Sequence, residues 1–251
     1  MKKTIVTLTL IIFLFSCETH KSHSERIRAE SVKDSSEVIT KNHLNFNTIV
    51  KIDSILDYVM YPLEISKEAQ SDLGGSYGES SYGRKNFYWN IIFYNTKTQE
   101  YHLLDDNKKM LISSYDFNVQ SSMNSNYEVK FHKMKGNNIY YDITVLDYNK
   151  DGHLDSKDPH YLFMSDNEGR NFKQISPDSM SVNGWNVIEK TGKLLIQARK
   201  DTDGDKLFNN EDEIIPFVFD LKSGENIKEI FNPKFKKEAQ KLFEKQFFKN
   251  K

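Results

Sequence analysis

The chain has 251 residues, 35 Lys and Arg against 36 Asp and Glu, a net charge of −1 and 13% aromatic residues. That balance lacks the basic surplus of a nucleic-acid-binding domain, so no nucleic acid is expected as a partner. The single cysteine excludes an internal disulfide and any multi-cysteine zinc centre, and five prolines and eleven glycines exclude collagen-like and proline-rich architectures.

Lys2 and Lys3 precede an apolar run from Thr4 to Phe15, which leads into Leu14-Phe15-Ser16-Cys17. The run is too short to cross a bilayer as a helix, which takes about 20 residues. A charged start, a short apolar run and a small residue before a cysteine resemble the signal and lipobox of bacterial lipoproteins. The resemblance implies a signal peptide over residues 1–16 and a lipid on Cys17. It places the protein in the bacterial cell envelope, anchored to a membrane on the periplasmic side or at the cell surface. Residues 17–45 are polar and read as a tether.

From residue 46 short apolar runs alternate with turn residues. They are Tyr58–Ile65, Tyr88–Tyr94, Ile139–Leu146, Tyr161–Met164, Lys193–Ala198 and Ile214–Phe219. Their length and their Tyr, Phe, Ile and Val content predict strands. Three segments repeat one pattern: Ile91–Leu104, Leu162–Ile175 and Pro216–Ile230 each run from an apolar strand through Asn95, Asp166 or Asp220 into a polar turn and a second strand. Self-similarity of this kind predicts stacked hairpin units. Tyr161–Asp178, with Ser165-Asp166, Gly169 and Ser176-Pro177-Asp178, is similar to the repeat of TolB-type β-propellers. The resemblance implies a mainly β domain over residues 46–231 built of propeller-like blades. Only about three units are visible, and closing a ring takes four or more. An open β-array or a sandwich of the same hairpins is the alternative.

Ser66–Lys85 is a Ser, Gly and Tyr-rich insert. Its Gly74-Gly75-Ser76-Tyr77-Gly78 matches G-x-S-x-G but lacks the strand before and helix after that hold a nucleophilic serine. It is read as low-complexity sequence.

The strongest chemical signal is a pair of segments, Asp147–Asp158 (DYNKDGHLDSKD) and Asp201–Asp212 (DTDGDKLFNNED), which align without a gap. Positions 1, 3, 5, 9 and 12 are Asp147, Asn149, Asp151, Asp155 and Asp158 in the first, and Asp201, Asp203, Asp205, Asn209 and Asp212 in the second. Position 8 is apolar in both, Leu154 and Phe208. Alternate oxygen side chains on a tight loop converge on one centre, as a hard cation such as Ca²⁺ requires. The segments resemble EF-hand loops and, with Asp at position 12, the dockerin version. The resemblance implies Ca²⁺ as cofactor and adds the position 7 carbonyls, His153 and Leu207, as ligands. Position 6 favours a positive φ and hence Gly. It is Gly152 in the first loop but Lys206 in the second, with Gly204 two residues earlier, so the second loop is expected to be distorted or weaker. The flanks are strand-like, so the ions are expected to pin connections between adjacent strands rather than swing helices.

The histidines show no His-x-His or His-x-x-x-His spacing, and Trp89 and Trp185 are expected in the core. Residues 232–251 form the last element, an amphipathic helix capped by Asn232 with Pro233 in its first turn. Its stripe of Phe235, Ala239, Leu242, Phe243 and Phe247 is expected to pack across the β domain; contact with an anionic membrane or a partner is the alternative. No nucleophile–base constellation is visible. The expected role is a non-enzymatic binding or scaffold module of the envelope, with a membrane, an envelope protein or a glycan as partner. The alternatives are a glycan- or peptide-binding surface lipoprotein and an envelope hydrolase using a carboxylate pair.

Overall fold

The computed structural model describes residues 44–52, 57–65, 87–116, 137–224 and 226–248. Contacts separate residues 1–43 from 44–251, and every described residue lies in the second unit. Signal peptide, Cys17, tether and the Ser/Gly/Tyr insert fall outside them, apart from Leu44 and Asn45.

The described residues form thirteen strands and one helix. The strands make three antiparallel meanders. In the first, β1 (Asn45–Phe46) and β2 (Val50–Lys51) both pair with β3 (Tyr58–Glu64), which pairs with β4 (Tyr88–Asn95) and through it with β5 (Tyr101–Leu103). In the second, β6 (Leu111–Asp116), β7 (Asn138–Thr144), β8 (Tyr161–Asp166) and β9 (Lys173–Gln174) pair in order. In the third, β10 (Met180–Ile188), β11 (Lys193–Lys200), β12 (Glu213–Asp220) and β13 (Lys228–Glu229) do the same. A bridge between Tyr88 and Ile112 joins the first two into one nine-stranded sheet, and the third is a separate four-stranded sheet. Neither sheet closes on itself.

Two cores explain the order. Ile139, Tyr141 and Ile143 on one face of β7 pack with Met60, Ile91 and Phe93 of the first meander. Tyr140 and Leu162, on the opposite face of the middle meander, pack with Leu194, Ile196 and Phe217 of the third. Side chains alternate across a strand, so the middle meander must be apolar on both faces. β7 is accordingly buried almost throughout, whereas β11 alternates buried and exposed residues.

The predicted strands β3, β4, β7, β8, β11 and β12 are present, and so are the three hairpins. Each turns on one side chain. Asn95 Oδ1 accepts the N–H of Lys97 and Thr98; Asp166 Oδ1 accepts those of Glu168 and Arg170; Asp220 Oδ1 accepts those of Lys222 and Ser223. Gly169 has φ +77°, and a Cβ there would lie 2.4 Å from the Phe93 ring, so the β8–β9 turn sits against β4 and only glycine fits. The expectation of propeller blades reduces to this coarser result: an open antiparallel arrangement of three meanders, two sharing one sheet.

The helix α1 (Pro233–Phe247) starts as expected, with Asn232 Oδ1 accepting the Phe235 N–H at 2.9 Å. Its packing is corrected: no residue of α1 is buried. It meets the β domain through Lys236, whose Nζ lies 2.6 Å from Glu229 and 3.7 Å from Glu213. Those carboxylates hold the first turn at the β12–β13 edge and leave the apolar stripe uncovered.

Candidate metal-binding loops

Both acidic segments connect the second and third long strands of a meander. Asp147–Asp158 links β7 to β8, and Asp201–Asp212 links β11 to β12, as the strand-like flanks predict. The insert of the first meander occupies the corresponding place between β3 and β4 in chain order.

The two loops share one hydrogen-bond scaffold, position for position. The position 2 N–H donates to the position 12 carboxylate: Tyr148 to Asp158 Oδ1, 2.9 Å, and Thr202 to Asp212 Oδ1, 2.7 Å. The other oxygen of that carboxylate accepts the position 9 N–H, from Asp155 and from Asn209, at 3.1 Å in both. Position 6 donates to the first aspartate, Gly152 to Asp147 Oδ2 at 2.9 Å and Lys206 to Asp201 Oδ2 at 3.2 Å. Position 5 donates to position 3, Asp151 to Asn149 and Asp205 to Asp203. Position 7 donates to position 5, His153 to Asp151 and Leu207 to Asp205. Position 11 donates to position 9, Lys157 to Asp155 and Glu211 to Asn209. Short Asp and Asn side chains are suited to these bonds because they reach their own backbone a few residues on.

The second loop is therefore not distorted. Lys206 takes φ +66°, the left-handed region that Gly152 occupies at φ +90°, and Gly204 sits at φ +78°. A side chain in that region costs about 1 kcal/mol, and the loop bears it rather than changing shape.

Asp201, Asp203 and Asp205 bring carboxylate oxygens within 4.8 Å of one another. Like charges so close repel unless a cation or donors compensate. In the first loop position 3 is the neutral Asn149, and burial replaces crowding. Asp155 and Asp158 are each 1% exposed, and Leu154 closes the loop onto the core at 5%. Asp155 Oδ1 accepts the Lys157 N–H, but Oδ2 has no hydrogen-bond partner. The Lys157 ammonium stands 3.9 Å from Asp155 Oδ2 and from Asp151 Oδ2. A buried carboxylate oxygen with no donor fits an uncoordinated cation ligand, and hard oxygen donors of this kind suit Ca²⁺.

The environments move the two position 12 carboxyls in opposite directions. Burial pushes Asp158 above the usual carboxylate range, against the N–H bonds it receives. The Thr202 N–H holds Asp212 below it.

Sequence reasoning missed how the loops touch. The Tyr148 hydroxyl, from position 2 of the first, donates to Asp201 Oδ2 of the second at 3.1 Å. The Tyr148 ring lies 5.2 Å from that of Phe208. Burial, then the bond to Asp201, raises the Tyr148 phenol. Arg199 was also missed. Its guanidinium donates to the carbonyls of Asn209 and Asp212 and to the side chains of Asn183 and Asn210. Neither contact follows from spacing, since each depends on the stacking of two meanders or on a strand end.

No family model matches the chain, and no curated protein matches it.

Just past the first loop, Asp142 Oδ1 and His160 Nδ1 lie 2.8 Å apart, a pair the histidine spacing did not signal. His160 lines a cavity of about 170 Å³ with Ser113, Thr144 and Asp155. A second cavity, about 370 Å³, lies where Lys173, Gln174 and Asp178 face Phe219 and Asn226. Trp185 packs on Tyr140 at 4.7 Å, as expected of a core residue, whereas Trp89 is 38% exposed. Among the described residues no helix is long and apolar enough to cross a membrane.

Proposed function

We propose that this protein is a calcium-stabilised, membrane-anchored lipoprotein of the bacterial envelope that serves as a non-enzymatic binding or scaffold module. The observation that carries the calcium reading is the shared scaffold of the two loops together with the crowded carboxylates of Asp201, Asp203 and Asp205. In it Asp147, Asn149, Asp151, Asp155, Asp158 and the His153 carbonyl hold one ion. Asp201, Asp203, Asp205, Asn209, Asp212 and the Leu207 carbonyl hold the other. The ions pin two β connections, and among the described residues no helix flanks either loop to swing on binding. The anchor is Cys17, on the lipobox resemblance. On this reading the three meanders descend from propeller-type blades, and their repeated hairpins support it. A small-ligand or glycan partner would find the cavity between Gln174 and Asn226.

The test is thermal and urea unfolding of the full chain in EGTA and in millimolar Ca²⁺. Extracellular loops of this class bind at about 10⁻⁴–10⁻³ M. At about 10 mM Ca²⁺, tenfold to a hundredfold over such a Kd, each ion stabilises by about 1.4–2.7 kcal/mol through linkage. Asp151→Ala and Asp205→Ala each remove an exposed ligand side chain and its bond to the position 7 N–H, so each is expected to cost about 0.5–1.5 kcal/mol in EGTA and to abolish one loop's calcium-dependent gain. No gain in the parent chain would reduce both loops to acidic turns. The anchor is read separately, by mass spectrometry of chain purified from membranes, where acylation at Cys17 is expected.

The Asp142–His160 pair favours one second reading, hydrolysis with His160 as base and Asp142 as its orienting group. Ester turnover that is lost in His160→Gln would support it over the non-enzymatic one.

A further inference from the structure

Helix α1 (Pro233–Phe247) has no buried residue, yet Phe235, Leu242, Phe243, Phe247 and the following Phe248 are large apolar side chains 46–70% exposed. The contacts of their rings stay within this segment. Phe243 lies 5.2 Å from Phe247 and 5.5 Å from Phe248, and Phe235 stacks on Phe231 at 5.4 Å. At about 100° per residue, Phe235, Ala239, Leu242, Phe243 and Phe247 share one side, interrupted by Lys236 and Gln246. Lys234, Lys237, Lys241 and Lys245 occupy the other. Only Lys236 is drawn off, to Glu229 and Glu213.

Charge says what covers the stripe. The helix holds five lysines and two glutamates, +3, in a chain of net −1, so the remainder carries −4. None of the described residues buries the stripe, and the lysines select a negative surface. An aromatic stripe backed by lysines, low in overall hydrophobicity and too polar to span, is the pattern of a helix lying in the headgroup region of a bilayer. We propose that α1 binds the surface of an anionic lipid membrane, its aromatic face at the headgroup boundary, with the β12–β13 edge held beside its first turn through Lys236. This goes beyond the lipid anchor and does not require it.

The experiment uses the full chain carrying Cys17→Ser, so that no acyl chain contributes, beside the same chain with Leu242→Gln, Phe243→Gln and Phe247→Gln. Both are sedimented with vesicles of phosphatidylcholine alone or with about 30% phosphatidylglycerol, a fraction that gives a surface potential lysines respond to. The N-terminal apolar run is common to both and cancels. The parent is expected to partition at least about tenfold more strongly onto the anionic vesicles and to lose that preference in about 0.5 M salt, where charges are screened beyond a few ångströms. The triple variant is expected to lose at least about tenfold in binding with its unfolding midpoint unchanged, because none of the three side chains is buried. Equal partition of parent and variant overturns the proposal, as does indifference to phosphatidylglycerol. A parent that is dimeric by light scattering and becomes monomeric in the variant, without vesicle preference, overturns it too and assigns the stripe to a second copy. Because Cys17 is absent throughout, failure here leaves the lipoprotein reading untouched.

Discussion

The loops at 147–158 and 201–212 share six hydrogen bonds, position for position, and differ in their surroundings. The first is sunk into the middle meander, with Asp155 and Asp158 at 1% exposure. The second stands at the end of the outer sheet, with Asp203, Asp205 and Lys206 exposed and Arg199 bracing its last turn. The scaffold is thus set by where Asp and Asn fall, not by the glycine at position 6, since Lys206 makes the bond Gly152 makes. Burial decides what each carboxylate is worth without an ion. In the first loop a carboxylate organises the core side of the loop; in the second water can take over much of the same work.

Removing the position 12 carboxylates breaks that comparison most sharply. Asp158→Ala strands the buried N–H of Asp155 and the partly buried N–H of Tyr148, and an unsatisfied buried donor costs about 1–3 kcal/mol. A loss of about 1–3 kcal/mol in EGTA is expected from urea unfolding. Asp212→Ala is expected to lose less: Asp212 is itself buried, at 7% exposure, but Thr202 is exposed and the Asn209 bond is only partly buried, where that of Asp155 is buried. Equal losses would mean that burial does not distinguish the loops.

Position 6 comes next. Gly152 at φ +90° has open space where a Cβ would stand, so Gly152→Ala meets no clash and measures backbone strain alone, about 1 kcal/mol of destabilisation. Lys206→Gly relieves the same strain and is expected to stabilise by about 0.5–1 kcal/mol. A destabilised Lys206→Gly would show that the lysine side chain holds the second loop in a way its backbone bonds do not explain.

The carboxyls themselves give a smaller, opposite-signed pair of effects. Asp158 has its folded pKa raised, so its contribution is fully present below the ordinary aspartate value near 3.9 and fades as pH rises through the folded value. Asp212 has its folded pKa lowered, so its contribution is present above that value and fades as pH falls through the folded one. Carboxyl carbon shifts followed in EGTA are expected to place the Asp158 midpoint above the ordinary value and that of Asp212 below it. Midpoints in the reverse order would contradict the burial difference directly.

What is legible in the sequence follows the same physics. β3, β4, β7, β8, β11 and β12 carry apolar runs long enough to recognise. β6 and β10 do not. Each contains a bulge, at Ser113 and at Asn183, and polar residues that break the alternation. The loops are legible because their spacing is local: each shared bond joins a ligand side chain to a backbone N–H within the same twelve residues. The Tyr148–Asp201 bond joins residues 53 apart across two meanders, and no local pattern encodes it. The stripe of α1 is legible as a stripe, but amphipathicity states that a face wants cover, not which surface supplies it.

That cross-loop bond yields the smallest and most specific effect. Asp201 Oδ2 accepts two donors, Tyr148 Oη and the Lys206 N–H, while Oδ1 accepts only Gly204 N–H at 2.7 Å. The phenol therefore fixes the carboxylate with Oδ1 left to face an ion, and it does so from the other loop. Tyr148→Phe keeps the ring against Phe208 and removes only the hydroxyl. The expected result by calorimetry is a second-loop affinity weakened about fivefold, roughly 1 kcal/mol, with the first loop unchanged although it carries the substitution. If the first loop weakens instead, Tyr148 acts through its own backbone bond to Asp158. If neither changes, the two loops are neighbours without being coupled, and their shared scaffold is a repeat of structure only.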